Sequence, residues 1–164
     1  MKQWVRPKIL HGVPTKYWWM VLYPERLSLG EFTDIGAFTL IQAEAGVTIG
    51  DHAQIGSHCS LYSVDSEGGI SGEIWIGEHV KIGSHCSILP GVTIGAGAVI
   101  GAHSFVNFSV PAFALAYGVP ARVVRMDYAS DIEGKNGGSG RWLRFAGVYD
   151  CNEDGRGRGG CDTG

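Results

Sequence analysis

Isoleucine, leucine or valine returns every sixth residue through the middle of the chain, and in most copies a glycine follows it. The run is Ile49-Gly50, Ile55-Gly56, then after an interruption Ile76-Gly77, Ile82-Gly83, Ile88, Ile94-Gly95, Ile100-Gly101 and Val106. Two residues before these aliphatics stands a small or β-branched residue: Val47, Ala53, Cys59, Val80, Cys86, Val92, Ala98 and Ser104. Weaker copies precede at Leu29-Gly30, Ile35-Gly36 and Ile41. An amphipathic helix needs apolar spacings of three and four, so a spacing of six with frequent glycine excludes it. Short strands joined by tight turns fit, with the aliphatic pointing inward and the glycine expected in a turn conformation closed to other residues. Three hexads then close one triangular coil of eighteen residues, and stacked coils give an all-β parallel helix.

The pattern also divides the chain. Hexads cover residues 28–125. Residues 1–27, with Tyr17, Trp18, Trp19 and Tyr23, are expected to cap the open end of the coil. Ile41 to Ile49 is eight residues, two more than a hexad; Leu61 to Ile76 is fifteen, nine more. The segment 62–73, YSVDSEGGISGE, should therefore leave the coil as a loop, and loops of this kind commonly carry function. Residues 126–164 form a glycine-rich tail whose strand-like run is RWLRFAGVYD.

Composition narrows the class. The chain has 164 residues, a one-domain length, and 26 glycines with only six prolines and no Gly-X-Y period, which excludes collagen. With 45% apolar residues and a formal charge of −3 it can bury a core, and it lacks the basic excess of a general nucleic-acid binder. The apolar stretch Trp18 to Tyr23 is far short of the ~20 residues of a membrane span, and Pro7, Pro14 and Lys16 interrupt any signal-peptide core. A cytoplasmic location is expected. Cys59 and Cys86 occupy identical Ser-His-Cys-Ser tetrapeptides and read as small buried thiols; Cys151 and Cys161 lie in the tail, and no CxxC signals a zinc knuckle.

Stacking makes the histidines informative. His58, His85 and His103 each fall three residues after an inward aliphatic on the same face of the triangle. They should form a column spaced about 4.8 Å, as neighbouring strands are. His52 and His79 make a second column. Such residues are either solvent-exposed turn positions or the lining of a groove between subunits.

In KIGSHCSILPGVTIGAGAVIGA and in the closing GVPARVVR from Gly118 to Arg125 the chain resembles the hexapeptide-repeat acyltransferases. The resemblance implies a left-handed parallel β-helix; that hand runs against the usual right-handed crossover rule and comes from the family alone. It also implies a homotrimer that binds acetyl-CoA in grooves between subunits, with a sugar as acceptor. The likeness to galactoside-type acetyltransferases carries cofactor contacts onto Ser84 and Ala102, suggests Asn107 and Phe108 near the pantetheine or phosphates, and puts Arg122 and Arg125 at the ADP end. A guanidinium fork matches phosphate oxygens. No metal is implied.

One departure shapes the expected chemistry. The galactoside and maltose enzymes place their catalytic His in the loop that corresponds to Tyr62–Glu73, and this stretch has none. Glu44, at the corner with the two extra residues, is the first candidate base, followed by His58 and His85; Asp65 and Glu67 are candidate substrate contacts. A sugar amine needs less help from a base than a hydroxyl. The missing His therefore tilts the expectation toward N-acetylation of a nucleotide-linked amino sugar for cell-surface polysaccharide, with O-acetylation by a His base as the alternative. A zinc enzyme like the γ-class carbonic anhydrases and a non-catalytic scaffold are more remote; the zinc reading needs three imidazoles converging within ~2.1 Å of one ion.

Overall fold

In the computed structural model the described residues are 4–126. The tail expected over 126–164, with its strand-like run and with Cys151 and Cys161, lies outside them beyond Met126. The chain winds through about five triangular turns. The first carries β1 (Met20–Leu22), β2 (Leu27–Leu29) and β3 (Asp34–Ile35); the second β4 (Leu40–Gln42), β5 (Val47–Ile49) and β6 (Gln54–Ile55). The third holds β7 (Ser60–Tyr62), a hairpin of β8 (Val64–Asp65) and β9 (Ile70–Ser71), then β10 (Ile74–Ile76) and β11 (Lys81–Ile82). β12 (Ser87–Ile88), β13 (Thr93–Ile94) and β14 (Val99–Ile100) make the fourth; β15 (Phe105–Val106), β16 (Leu115–Gly118) and β17 (Ala121–Arg125) end the coil. This is the left-handed parallel β-helix expected from the repeat and the resemblance.

Three parallel sheets form the walls. One is ordered β1-β4-β7-β12-β15, the second β13-β10-β5-β2, and the third β17-β16-β14-β11-β6-β3, in which only β17 runs antiparallel. Registers pair each inward aliphatic with its counterpart one coil on: Leu61 with Ile88, Ile88 with Val106, Ile55 with Ile82. The hexad aliphatics and the small residues two places before them are buried together in one core along the axis. β1 already stands in parallel register with β4, so stacking reaches upstream of residue 28. Trp19 is buried there, in the inward slot that Thr39, Cys59, Cys86 and Ser104 take in later coils.

The glycines serve a different purpose from the one expected. None of those that follow the hexad aliphatics has positive φ; the left-handed residue of each turn stands two places later, an aromatic or His except after Gly95, where it is Gly97. A Cβ on Gly56 would lie 2.5 Å from the Ser84 nitrogen, and one on Gly83 2.5 Å from the Ala102 nitrogen. Coil-on-coil contact, not turn conformation, selects glycine there. Positive φ falls on Trp18, Phe38, His58, His85 and His103 at one corner and on Phe32, His52, His79, Gly97 and Phe113 at the next. Histidine is among the residues that enter this region most readily.

Beneath the first of these corners lies an internal polar ladder. Thr39 Oγ1 donates to the Gly56 carbonyl (2.9 Å), Cys59 Sγ to that of Gly83 (3.2 Å), and Cys86 Sγ (3.2 Å) and Ser104 Oγ (2.6 Å) to that of Gly101. A hydroxyl or thiol at this slot satisfies a carbonyl that an alanine would leave to the core. Both cysteines are free and buried, as expected. The hydrogen bond with Cys59, followed by burial, pushes the Cys86 thiol up.

Departures from the hexad concentrate at the corner between the first and second sheets. Val21 to Leu29 and Ile41 to Ile49 span eight residues, Leu61 to Ile76 fifteen, Ile88 to Ile94 six, and Val106 to Val110 four, whereas the other two corners keep six throughout. The walls are fixed by packing. This one corner is free to vary.

Candidate functional site

The variable corner gathers carboxylates. Glu44 is exposed in the turn between β4 and β5, and Gln42 Nε2 donates to its Oε2 at 3.0 Å. Gln42 Oε1 in turn accepts from the Val64 amide (3.1 Å) and from Ser63 Oγ (3.2 Å), which ties Glu44 to the base of the hairpin. Ser63 is fully buried; its one hydroxyl hydrogen is shared between Gln42 Oε1 and the nearer Gln42 carbonyl (2.8 Å), and its oxygen accepts from the Ala45 amide (2.9 Å). Glu73, at the hairpin's far end, accepts from Thr48 Oγ1 at 3.0 Å and has its side chain against Gly46. The sequence marks the two insertions but not these residues: Ser63 and Glu73 lie near the two ends of 62–73, and Gln42 at the start of the shorter insertion.

The expected loop 62–73 is a two-stranded antiparallel ribbon in which Val64 pairs Ser71 and Asp65 pairs Ile70, and Tyr62 still belongs to β7. Asp65 Oδ1 accepts from the Glu67 amide at 3.1 Å, so this carboxylate has a duty in the turn; Glu67 is exposed at the tip. Asn107 and Phe108 lie at the same corner two coils on. Asn107 is exposed, while Phe108 is half-buried against the core.

The histidines stand at another corner. His58, His85 and His103 stack with ring centroids 4.7 Å apart and planes within 10°, and the column continues through Phe38 and Trp18. They lie on an edge between two sheets, not on a face. His85 and His103 donate their backbone N–H to the carbonyls of Ser57 and Ser84 in the coil before (2.9 Å each). Parallel rings at this spacing cannot turn three nitrogens to one point, so within one chain they make no zinc tripod. Ser84 and Ala102 share this corner, one coil apart. Glu44 and the histidines, grouped as candidate bases, are therefore separated by the width of a sheet within the chain.

Arg122 and Arg125 sit on β17, and a β-bulge brings them together. Leu115 pairs Arg125 and Ala116 pairs Val123, leaving Val124 as the extra residue, while Tyr117 pairs Arg122. Strand residues three apart normally face opposite sides; one extra residue returns them to the same side. Cross-strand partners share a face, so Arg122 and Arg125 join Tyr117 and Leu115 on the outside of the third sheet. Both arginines are exposed, and Arg122 Nη1 donates to the Ala121 carbonyl at 2.7 Å.

Comparison with known proteins agrees with this architecture. The family described as bacterial transferase hexapeptide (six repeats) matches residues 73–107. A crystal structure of the hexapeptide-repeat-containing acetyltransferase VCA0836 from Vibrio cholerae is 30% identical, with a TM-score of 0.61, over 66% of this chain and 67% of that one. The chain belongs to the hexapeptide-repeat acetyltransferases. The VCA0836 complex with acetyl coenzyme A, from Vibrio cholerae O1 biovar eltor, is 32% identical at TM-score 0.62, covering 66% and 64%. The putative colanic acid biosynthesis acetyltransferase WcaF of Escherichia coli (strain K12) is 32% identical over 117 residues, 64% of this chain and 61% of WcaF. The chain thus spans less than two thirds of that relative. AntD, an N-acyltransferase from Bacillus cereus solved with dTDP and 3-hydroxybutyryl-CoA, is 26% identical at TM-score 0.58, covering 73% of this chain and 83% of AntD. Among the described residues no helix is long and apolar enough to cross a membrane.

Proposed function

We propose that the chain is an acetyl-CoA-dependent N-acetyltransferase acting in the cytoplasm, as a homotrimer, on a nucleotide-linked amino sugar destined for cell-surface polysaccharide. One observation carries the reading: among the described residues, the second and third turns of the variable corner present Glu44, Asp65 and Glu73 and no imidazole. His11 meets this corner only in the first turn, where its Nδ1 accepts from the Tyr23 amide (3.1 Å), and the other histidines stack on the two remaining edges. The likeness to VCA0836 with its acetyl coenzyme A supports the donor; AntD, an N-acyltransferase solved with dTDP, supports an amine on a nucleotide sugar; and WcaF supports a polysaccharide pathway.

A thioester carries its own activation, so the chain has three tasks. It binds both substrates, aims the amine nitrogen at the carbonyl carbon, and removes one proton. As the C–N bond forms, the carbonyl oxygen takes negative charge that turn N–H groups can stabilise. The amine's proton passes to Glu44, collapse breaks the C–S bond, and Glu44 returns that proton to the departing thiolate, so the thiol leaves and the carboxylate is regenerated. Since Glu44 and the Ser84–Ala102 edge lie at different corners, we read the site as a groove in which the carboxylate corner of one chain meets the cofactor edge of its neighbour.

Incubation with acetyl-CoA and a panel of nucleotide-linked amino and neutral sugars, read by release of free thiol, tests this directly. Turnover is expected with amino sugars only and from a trimer by light scattering. Turnover confined to hydroxyl acceptors would favour the O-acetyltransferase reading, and a monomer active at nanomolar concentration would remove the groove between chains. Ala at both Arg122 and Arg125 is expected to raise the KM for acetyl-CoA about tenfold or more, the scale of charged hydrogen bonds. The acceptor KM should change far less, and the wild-type advantage should shrink with added salt. An unchanged KM for acetyl-CoA would leave both as ordinary surface charges.

A further inference from the structure

A second concavity lies at the N-terminal end of the coil, away from both the carboxylate corner and the Ser84–Ala102 edge. It is an open cleft of about 470 Å³ whose walls include Trp4, Tyr17, Trp19, Phe32, Lys16 and Asp34. That volume lies within the range of small-molecule sites, about 300–1,000 Å³. Its rings are held in place. Trp4 Nε1 donates to the Thr33 carbonyl at 3.2 Å, Trp4 packs on Phe32 at 6.0 Å, and Phe32 stacks flat on His52 at 5.1 Å. Lys16 Nζ sits 4.9 Å from the centre of the Tyr17 ring. Among the described residues no hydrogen bond or ion pair engages the exposed Asp34 carboxylate.

We propose that this cleft is a carbohydrate subsite that holds one neutral pyranose ring of an acceptor longer than the sugar being acetylated. Aromatic faces match the C–H face of a pyranose, and the free carboxylate of Asp34 with the ammonium of Lys16 offers an acceptor and donors for its hydroxyls. One charge of each sign makes the wall neutral, which suits a sugar and not a phosphate or a polyanion. The fixed rings lose little freedom on binding. From Phe32 the ring edge continues to His52 and on to His79, 4.8 Å further and parallel within 1°. A glycan leaving the cleft along this edge would meet a ring at each coil. The proposal rests on the sugar-transferase reading but gives the acceptor a further neutral sugar, which the nucleotide-linked monosaccharide proposed above lacks.

Binding tests it without turnover. The full chain is titrated with cellotetraose, maltotetraose and a β-1,4-galactotetraose, and with uridine as a nucleoside control, using tryptophan fluorescence and saturation-transfer NMR. At least one tetrasaccharide is expected to bind with Kd of about 1 mM or below, and Trp4→Ala and Asp34→Asn should each weaken it about fivefold or more. No tetrasaccharide binding below about 10 mM, preference for uridine, or binding unaffected by both substitutions would each overturn the proposal. Coenzyme A is titrated into the same samples. Its failure to bind the wild-type chain would count against the transferase reading alone, and its unchanged affinity in Asp34→Asn would show that the loss is local.

Discussion

Alanine at Gly56 is expected to destabilise the coil by about 3 kcal/mol or more, the upper range for overpacking, although the substitution adds one methyl group to a half-buried turn. The reason is the stacking contact. The new Cβ would stand 2.5 Å from the Ser84 nitrogen and 2.8 Å from the Gly83 carbonyl carbon, and these are backbone atoms of the next coil that cannot rotate aside. Relief requires the coils to separate, which strains the ladder between β6 and β11 that pairs Ile55 with Ile82. Gly91 is the control. It has φ +76° but nothing within 4 Å of the added Cβ, so Gly91→Ala should cost only the left-handed penalty of about 1–2 kcal/mol. Urea unfolding of the two variants decides between them. A loss at Gly56 no larger than at Gly91 would show that coil-on-coil contact does not select the hexad glycine.

That contrast shows where the sequence was legible. Spacing alone identified the buried positions, because an aliphatic at every sixth place and a small residue two before it cannot alternate correctly in any other regular structure. It also found the His58–His85–His103 column, since eighteen-residue periodicity maps directly onto neighbouring coils. The cause of the glycines was hidden because the contact is made with a residue far along the chain, Ser84 for Gly56 and Ala102 for Gly83. The start of the coil was hidden for a local reason: Trp18 and Trp19 stand where later coils carry His and a small residue, and the Val21-to-Leu29 step is eight. The common face of Arg122 and Arg125 depends on the extra residue Val124, which only strand pairing reveals. The grouping of Glu44 with His58 and His85 as bases was made on chemistry; the corners that separate them follow from three-dimensional phase.

The decisive test of the proposed chemistry is Glu44→Gln. The amide keeps the size of the side chain and can still accept from Gln42 Nε2, now at 3.0 Å from Glu44 Oε2, so the corner and the hairpin base should hold. What disappears is the basic carboxylate. Loss of kcat/KM is expected to approach but not exceed about 10³-fold, the scale of one acid–base group, because an unprotonated amine attacks a thioester with limited help. His58→Ala and His85→Ala should cost about tenfold or less: each imidazole is stacked between rings of neighbouring coils, His58 between Phe38 and His85, His85 between His58 and His103. In wild-type protein kcat/KM should climb with pH toward the amine's own pKa, without levelling near the imidazole value of about 6.5. An inactive His58→Ala or His85→Ala chain that is still folded and trimeric would overturn this assignment. The base would then be an imidazole at the Ser84–Ala102 edge, and a hydroxyl would replace the amine as the expected acceptor.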